Sequence, residues 1–121
     1  MKIESIAGNF SVCIVSDYDN IDLLDKYTFI GKTDEENSLV CLSETVPANV
    51  IERDDGWKGM RIQGELDFSL IGILAQIATA LAKNKISIFV VSTFNTDYIF
   101  VKEADFTKAL LVLASEGYEL I

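Results

Sequence analysis

Two stretches carry side chains suited to holding a small molecule. Residues 64–74 (GELDFSLIGIL) join a strand to a helix and put Gly72 in the first helical turn. The N–H groups of a first turn have no partner inside the helix, so they attract an anion such as a carboxylate. A glycine there costs about 1 kcal/mol of helix stability relative to alanine, and it lets a ligand or another backbone come close. Close packing of the helix on a sheet would ask for the same glycine. Residues 92–100 (STFNTDYIF) set Thr93, Thr96 and Asp97 between two strongly apolar runs. Such a group either faces a ligand or satisfies the turn's own backbone, as Asx and threonine motifs do.

Other chemistries are poorly served. The chain has no histidine, which removes Ser-His-Asp and Cys-His sites and the commonest general base. The acid pairs Glu35-Glu36 and Asp54-Asp55 sit in polar segments and read as solvated. Gly59, Gly64 and Gly72 fit neither a P-loop nor a dinucleotide fingerprint. Cys13 and Cys41 lie in apolar runs without CxxC spacing, the pattern of buried free thiols rather than of a zinc site. Neither metal nor cofactor is expected. The 19 acids against 10 bases give a net charge of −9 and no basic stripe, which argues against nucleic acid and for simple solubility.

These residues need elements to position them. Half of the 121 residues are hydrophobic and 24% are charged, enough for a buried core in one compact domain or two very small ones. Residues 10–16 read as a central strand, and 17–26 (DYDNIDLLDK) as a short helix or turn anchored by Ile21, Leu23 and Leu24. Residues 27–32 and 38–42 read as two strands joined by the polar loop TDEEN. The segment ERDDG, residues 52–56, is the clearest break in composition and is taken as the internal boundary. Residues 57–66 alternate, with Met60, Ile62, Gly64 and Leu66 on one face and Arg61, Gln63 and Glu65 on the other. A helix is expected over 70–83, with Leu70, Ile73, Leu74, Ile77 and Leu81 at helical spacing. Asp67 or Ser69 can cap its start, and Lys83 and Lys85 suit its C-terminal dipole. Strands over 86–91 and 98–101 form a hairpin. A helix over 105–115 turns Phe106, Ala109, Leu110 and Leu113 inward, Gly117 stops it, and residues 118–121 can form a last edge strand. The order is β-α-β-β-α-β, the ferredoxin-like pattern.

The first half follows the same order in shortened form. An offset of sixty residues aligns FIGKTDEENSLVC (29–41) with FVVSTFNTDYIFV (89–101) without gaps. Phe29 meets Phe89, and Thr33 and Asp34 meet Thr93 and Phe94. Only the Phe and Thr pairs are identical, so the repeat rests mainly on its apolar pattern.

The strand-to-helix turn with its acid and glycine, followed by a helix, the ISIF strand and the hairpin, resembles the ACT domain family of small-molecule regulatory modules. The run LDFSLIGILAQIATALAKNKISIFVVSTFNTDYIFV is similar to the branch that holds the CASTOR-type arginine sensors and bacterial two-module proteins of unassigned role. The resemblance covers residues 57–120, and 27–42 resemble the shortened N-terminal half of those bacterial proteins. It implies an α+β fold of two tandem ferredoxin-like modules, a truncated, degenerate one over 1–56 and a complete one over 57–121. It also implies amino-acid binding where modules meet. The binding turn would be Ser69, Leu70, Ile71, Gly72 and Ile73, and the hairpin would add Thr93, Phe94 and Asp97. Asp97 takes the position whose acid faces the cationic side of the ligand in the arginine sensors. The equivalent first hairpin would add Thr33 and Asp34. The usual turn has a proline before its glycine, where this chain has Ile71.

The expected function is therefore that of a non-enzymatic regulatory protein that binds a small ligand, an amino acid, at a module interface. The turn would take the carboxylate, and Asp97 the ammonium or a basic side chain. An interaction or oligomerisation module with a vestigial pocket is the alternative, and a small hydrolase or isomerase a third. A homodimer, a regulated partner protein and a cytoplasmic location are expected. The start MKIESIA lacks the apolar core of a signal peptide, and no run reaches the ~20 residues of a membrane span.

Overall fold

The computed structural model of the chain describes residues 1–63 and 72–121. The expectations for Gly64, Glu65, Leu66, Asp67, Ser69, Leu70 and Ile71 fall outside the described residues. The chain forms two compact units: Met1–Ala7 with Lys58–Ile121, and Gly8–Trp57. Two 14-residue strands, β1 (Lys2–Val15) and β4 (Val50–Gln63), run through both.

In the larger unit β4 is followed by α1 (Ile73–Lys83), β5 (Ile88–Ser92), β6 (Asp97–Lys102), α2 (Phe106–Ser115) and β7 (Glu119–Leu120). This is the expected ferredoxin-like α+β order. The strands lie in the order β7-β1-β4-β6-β5, with β7 parallel to the start of β1, Lys2 opposite Glu119 and Ile3 opposite Leu120. Both helices bury the stripe their spacing predicts. Ile77, Leu81, Ala109 and Leu113 are fully enclosed, with Ile73, Leu74, Phe106 and Leu110 packed at the margin. Met60, Ile62, Ile99 and Val101 meet them from the sheet. Alternation therefore places Arg61, Tyr98 and Phe100 on the sheet face away from the helices. Gly117, at φ +97°, ends α2 as expected.

The smaller unit orders its strands β2-β3-β1-β4, where β2 is Thr28–Lys32 and β3 is Asn37–Leu42. Cys13, Val15, Leu39 and Cys41 form its core, with Tyr18, Ile21, Val46 and Val50 against them. Burial pushes the Cys13 thiol up to about 11, with Cys41 beside it adding to the effect, and burial raises Cys41 as well. Both are free cysteines and stay protonated, as inert thiols do.

The repeat holds at the level of backbone. Every bound of β2 and β3 differs from that of β5 and β6 by sixty, and the short 3-10 turns Ser43–Thr45 and Glu103–Asp105 follow at the same offset. β3 and β6 share one burial pattern, with three consecutive buried residues. In each hairpin the threonine N–H closes the turn: Thr33 onto the Glu36 carbonyl at 3.0 Å, Thr93 onto the Thr96 carbonyl at 2.8 Å.

Three local details go beyond the sequence reading. β1 begins at Lys2 rather than at residue 10. Its first buried residues, Ile3 and Ile6, are three apart, and Gly8 takes φ +99°, so a period of two is broken and the strand is hidden in the sequence. Residues 17–26 take the turn of the two expected alternatives. Asp17 Oδ1 accepts the Asp19 N–H and Asp22 Oδ1 the Leu24 N–H, and such side-chain bonds compete with helix formation. Of the expected anchors only Ile21 packs inward, while Leu24 is 93% exposed. Finally, ERDDG lies inside β4, and the smaller unit ends directly after it, at Trp57. Asp55 within it accepts hydrogen bonds from Arg53, at 3.0 Å, and from the hydroxyl of the fully buried Ser11, which also bonds Ser43 Oγ at 2.7 Å.

Candidate functional site: two faces at one hairpin

The β5–β6 turn is built by threonines. Thr93 Oγ1–H donates to the Thr96 carbonyl at 3.0 Å, and the Thr96 N–H donates back to Thr93 Oγ1 at 3.4 Å. The Thr96 hydroxyl donates to the Ile62 carbonyl at 2.7 Å, which ties the turn to the end of β4. Both threonines thus serve the backbone. Thr33 Oγ1 does the same in the first hairpin, accepting the N–H groups of Glu35 and Glu36 at 3.1 and 3.2 Å, and Asp34 beside it is exposed.

Asp97 has a different partner. It stands opposite Ser92 at the first pair of the hairpin, and its Oδ1 accepts the Ser92 hydroxyl at 2.5 Å. Strand alternation puts it on the face of Ile99 and Val101, towards the helices. Gly72 is at the same end of the unit by topology: β4 ends beside the hairpin turn, and α1 carries the chain from there back to the start of β5. Gly72 caps α1 from just outside it, at φ +83° and without a side-chain cap. Among the described residues nothing lies within 4 Å of the place a Cβ would take. The left-handed backbone, rather than close packing, is therefore what calls for glycine. Ile73 opens the helix and packs against the core.

The opposite face carries a cleft of about 480 Å³ lined by Arg61, Gln63, Thr93, Phe94, Asn95 and Tyr98, with the turn at its rim. Arg61 is held on two sides. Its Nε and Nη2 donate to both oxygens of Glu4 at 2.9–3.1 Å, and its Nη1 donates to the Tyr98 hydroxyl at 3.0 Å. The guanidinium also lies 5.8 Å from the centre of the Tyr98 ring. The Tyr98 bond, ahead of the Glu4 bond and against the effect of burial, holds the arginine charge more firmly than usual.

The hairpin thus divides the expected residues. Thr93 and Phe94 line the cleft, Asp97 shares the helix side with Gly72 and Ile73, and Thr33 and Asp34 belong to the turn of the smaller unit. Arg61, Tyr98 and Glu4 were not singled out. Arg61 on the outward face of an alternating strand was the available signal, but its partner Glu4 lies in the part of β1 whose alternation is broken.

The family model for the ACT domain matches residues 52–115. The chain belongs to the ACT domain family. A protein from Agobacterium tumefaciens is 32% identical over 99% of this chain and 91% of its own, with a TM-score of 0.86. A protein of unknown function from Vibrio cholerae is 27% identical over 94% of this chain and 88% of its own, at 0.76. The regulatory subunit of aspartate kinase from Thermus thermophilus shares the fold at 10% identity and a TM-score of 0.64, covering 95% of this chain and 96% of its own. No curated protein matches. The ACT match includes β4, α1, the hairpin and α2, and so both faces just described. An ACT domain suggests a regulatory, small-ligand-binding role. No described helix is long and apolar enough to cross a membrane, and no metal-binding cluster occurs among the described residues.

Proposed function

We propose that the protein is a non-enzymatic regulator that binds an amino acid on the helix side of the hairpin end. The turn of Ser69, Leu70, Ile71, Gly72 and Ile73 receives the carboxylate on its N–H groups, and Asp97 receives the ammonium. Thr93 and Phe94 stand at the same hairpin end, on its other face. The two units act as two ACT modules, the smaller one reduced by loss of its helices, with Thr33 and Asp34 in the equivalent turn. The ligand is held where the complete module meets a second copy of the chain in a homodimer. The observation that carries this reading is the start of α1: Gly72 leaves the helix N-terminus without a side-chain cap, at the end of the sheet where Asp97 also stands.

A thermal-shift panel of the amino acids tests it. At about 100 times the dissociation constant a ligand adds ~2.7 kcal/mol of stability, enough to raise the melting temperature by several degrees. One or a few amino acids should do so, and sedimentation of the same sample should give twice 13.4 kDa. A flat panel would leave an interaction module with a vestigial pocket, and a sedimenting mass of one chain would remove the dimer.

A further inference from the structure

The cleft on the helix-free face has a composition of its own. Among the described residues its lining carries one charge, the Arg61 guanidinium, with neutral polar groups and two aromatic rings and no carboxylate. Phe94 stands at its rim with 93% of its surface exposed. We propose that this cleft binds a small organic carboxylate, with the anionic group on Arg61 beside the Tyr98 hydroxyl and the apolar body covered by Phe94.

A guanidinium presents five N–H donors in a planar fork that matches a carboxylate. Glu4 already occupies the Nε and Nη2 side, while Nη1 turns to Tyr98 at 3.0 Å, within the cleft. An incoming carboxylate approaches from that side, or displaces Glu4, whose side chain is 24% exposed. Glu4 therefore acts as an internal competitor. It keeps Arg61 oriented when the cleft holds no ligand, and it sets the affinity that an external anion must exceed. The net charge of −9 disfavours a dianion such as phosphate more than a single carboxylate. The volume suits a ligand of one ring or fewer than a dozen heavy atoms, near the lower end of ordinary small-molecule pockets at ~300–1,000 Å³.

The smaller unit shows that this chemistry is not a by-product of the hairpin. At the sixty-residue offset Ser38 replaces Tyr98 and Glu36 replaces Thr96, and the β1 residue opposite Ser38 is Ile14. A cleft of about 270 Å³ there is lined by Glu36, Glu52 and Asp54 around Arg53. The cleft of the smaller unit thus sets three acids beside its arginine, while that of the larger unit sets two aromatic rings among the residues that line it with Arg61.

Titration calorimetry of the full chain with phenylacetate, phenethylamine and inorganic phosphate tests the proposal. Phenylacetate lacks the ammonium that pairs with Asp97 in the amino-acid site proposed above, and the Phe94, Arg61 and Glu4 variants below assign its binding to this cleft. It should bind, while phenethylamine, the same ring with the opposite charge, should not. Phe94→Ser changes an exposed side chain and should weaken phenylacetate several-fold with no change in melting temperature. Arg61→Gln should weaken it at least tenfold. Glu4→Gln, which removes the competitor, should strengthen it several-fold, an effect that a purely structural Glu4–Arg61 pair would not produce. Three results would overturn the proposal: no phenylacetate binding, equal or tighter binding of the amine or of phosphate, or wild-type affinity in Phe94→Ser. That last variant keeps the test decisive even if Arg61→Gln does not fold.

Discussion

Asp97→Ala should weaken amino-acid binding at least thirtyfold and leave the folded protein almost as stable as before. Losing one partner of a partly buried charge pair costs about 2–5 kcal/mol, because the ligand ammonium is then desolvated without a counter-charge. The folding side of the comparison is small for a structural reason. Asp97 does not close the turn: the Thr93 hydroxyl does that, and Thr96 ties the turn to β4. The bond that would be lost is the one from Ser92, an exposed residue whose hydroxyl can turn to water, so the cost should stay below about 1 kcal/mol. Calorimetric titration with the amino acid that raises the melting temperature, together with urea melts of both proteins, separates the two effects. Undiminished affinity in a folded Asp97→Ala protein would take Asp97 out of the site. A loss of several kcal/mol in folding would make it a structural residue.

Phe100→Ala is expected to be among the most damaging single substitutions in the chain. Phe100 is wholly enclosed and stacks on Phe89, with ring centres 4.7 Å apart and planes 14° apart. Phe-to-Ala changes in cores cost about 3–5 kcal/mol, from lost transfer energy and from the cavity that remains. Aromatic pairs add about 0.5–1.5 kcal/mol beyond their buried area. Against a total stability of ~5–15 kcal/mol for an ordinary domain, such a loss leaves a large unfolded fraction. Denaturant melts should show the midpoint falling sharply at an unchanged slope. Phe89→Ala, at a half-buried position on the edge strand β5, should cost clearly less. A Phe100→Ala unfolding free energy within about 1 kcal/mol of wild type would mean that this face of the sheet is not packed as described.

The ACT fold was legible because the larger unit repeats local rules without conflict. Apolar residues at 3.6 spacing placed both helices, since only that spacing gathers Ile77, Leu81, Ala109 and Leu113 on inward faces. The paired apolar runs around STFNTDY placed the hairpin to within two residues at each end. The smaller unit was less legible where side chains take over the backbone's hydrogen bonds. Acids 17 and 22 hold turns where a helix was an equal expectation, and the acids of ERDDG sit in a strand because Ser11 and Arg53 bind Asp55 there.

By itself the sequence determined the secondary-structure order of the larger unit, the sixty-residue repeat, the ACT resemblance and the short stretch around Thr93 and Asp97, because each depends on residues near one another in the chain. Tertiary structure alone decided which face each of those residues serves. Thr93 and Asp97 are four positions apart, yet one lines the cleft of Arg61 and the other sits on the helix side with Gly72. Strand alternation makes that separation, and the strand's register was needed to see it. Glu4 and Arg61 are 57 positions apart and meet only because β1 and β4 are neighbours in the sheet, a pairing that no local pattern of charge or hydropathy encodes.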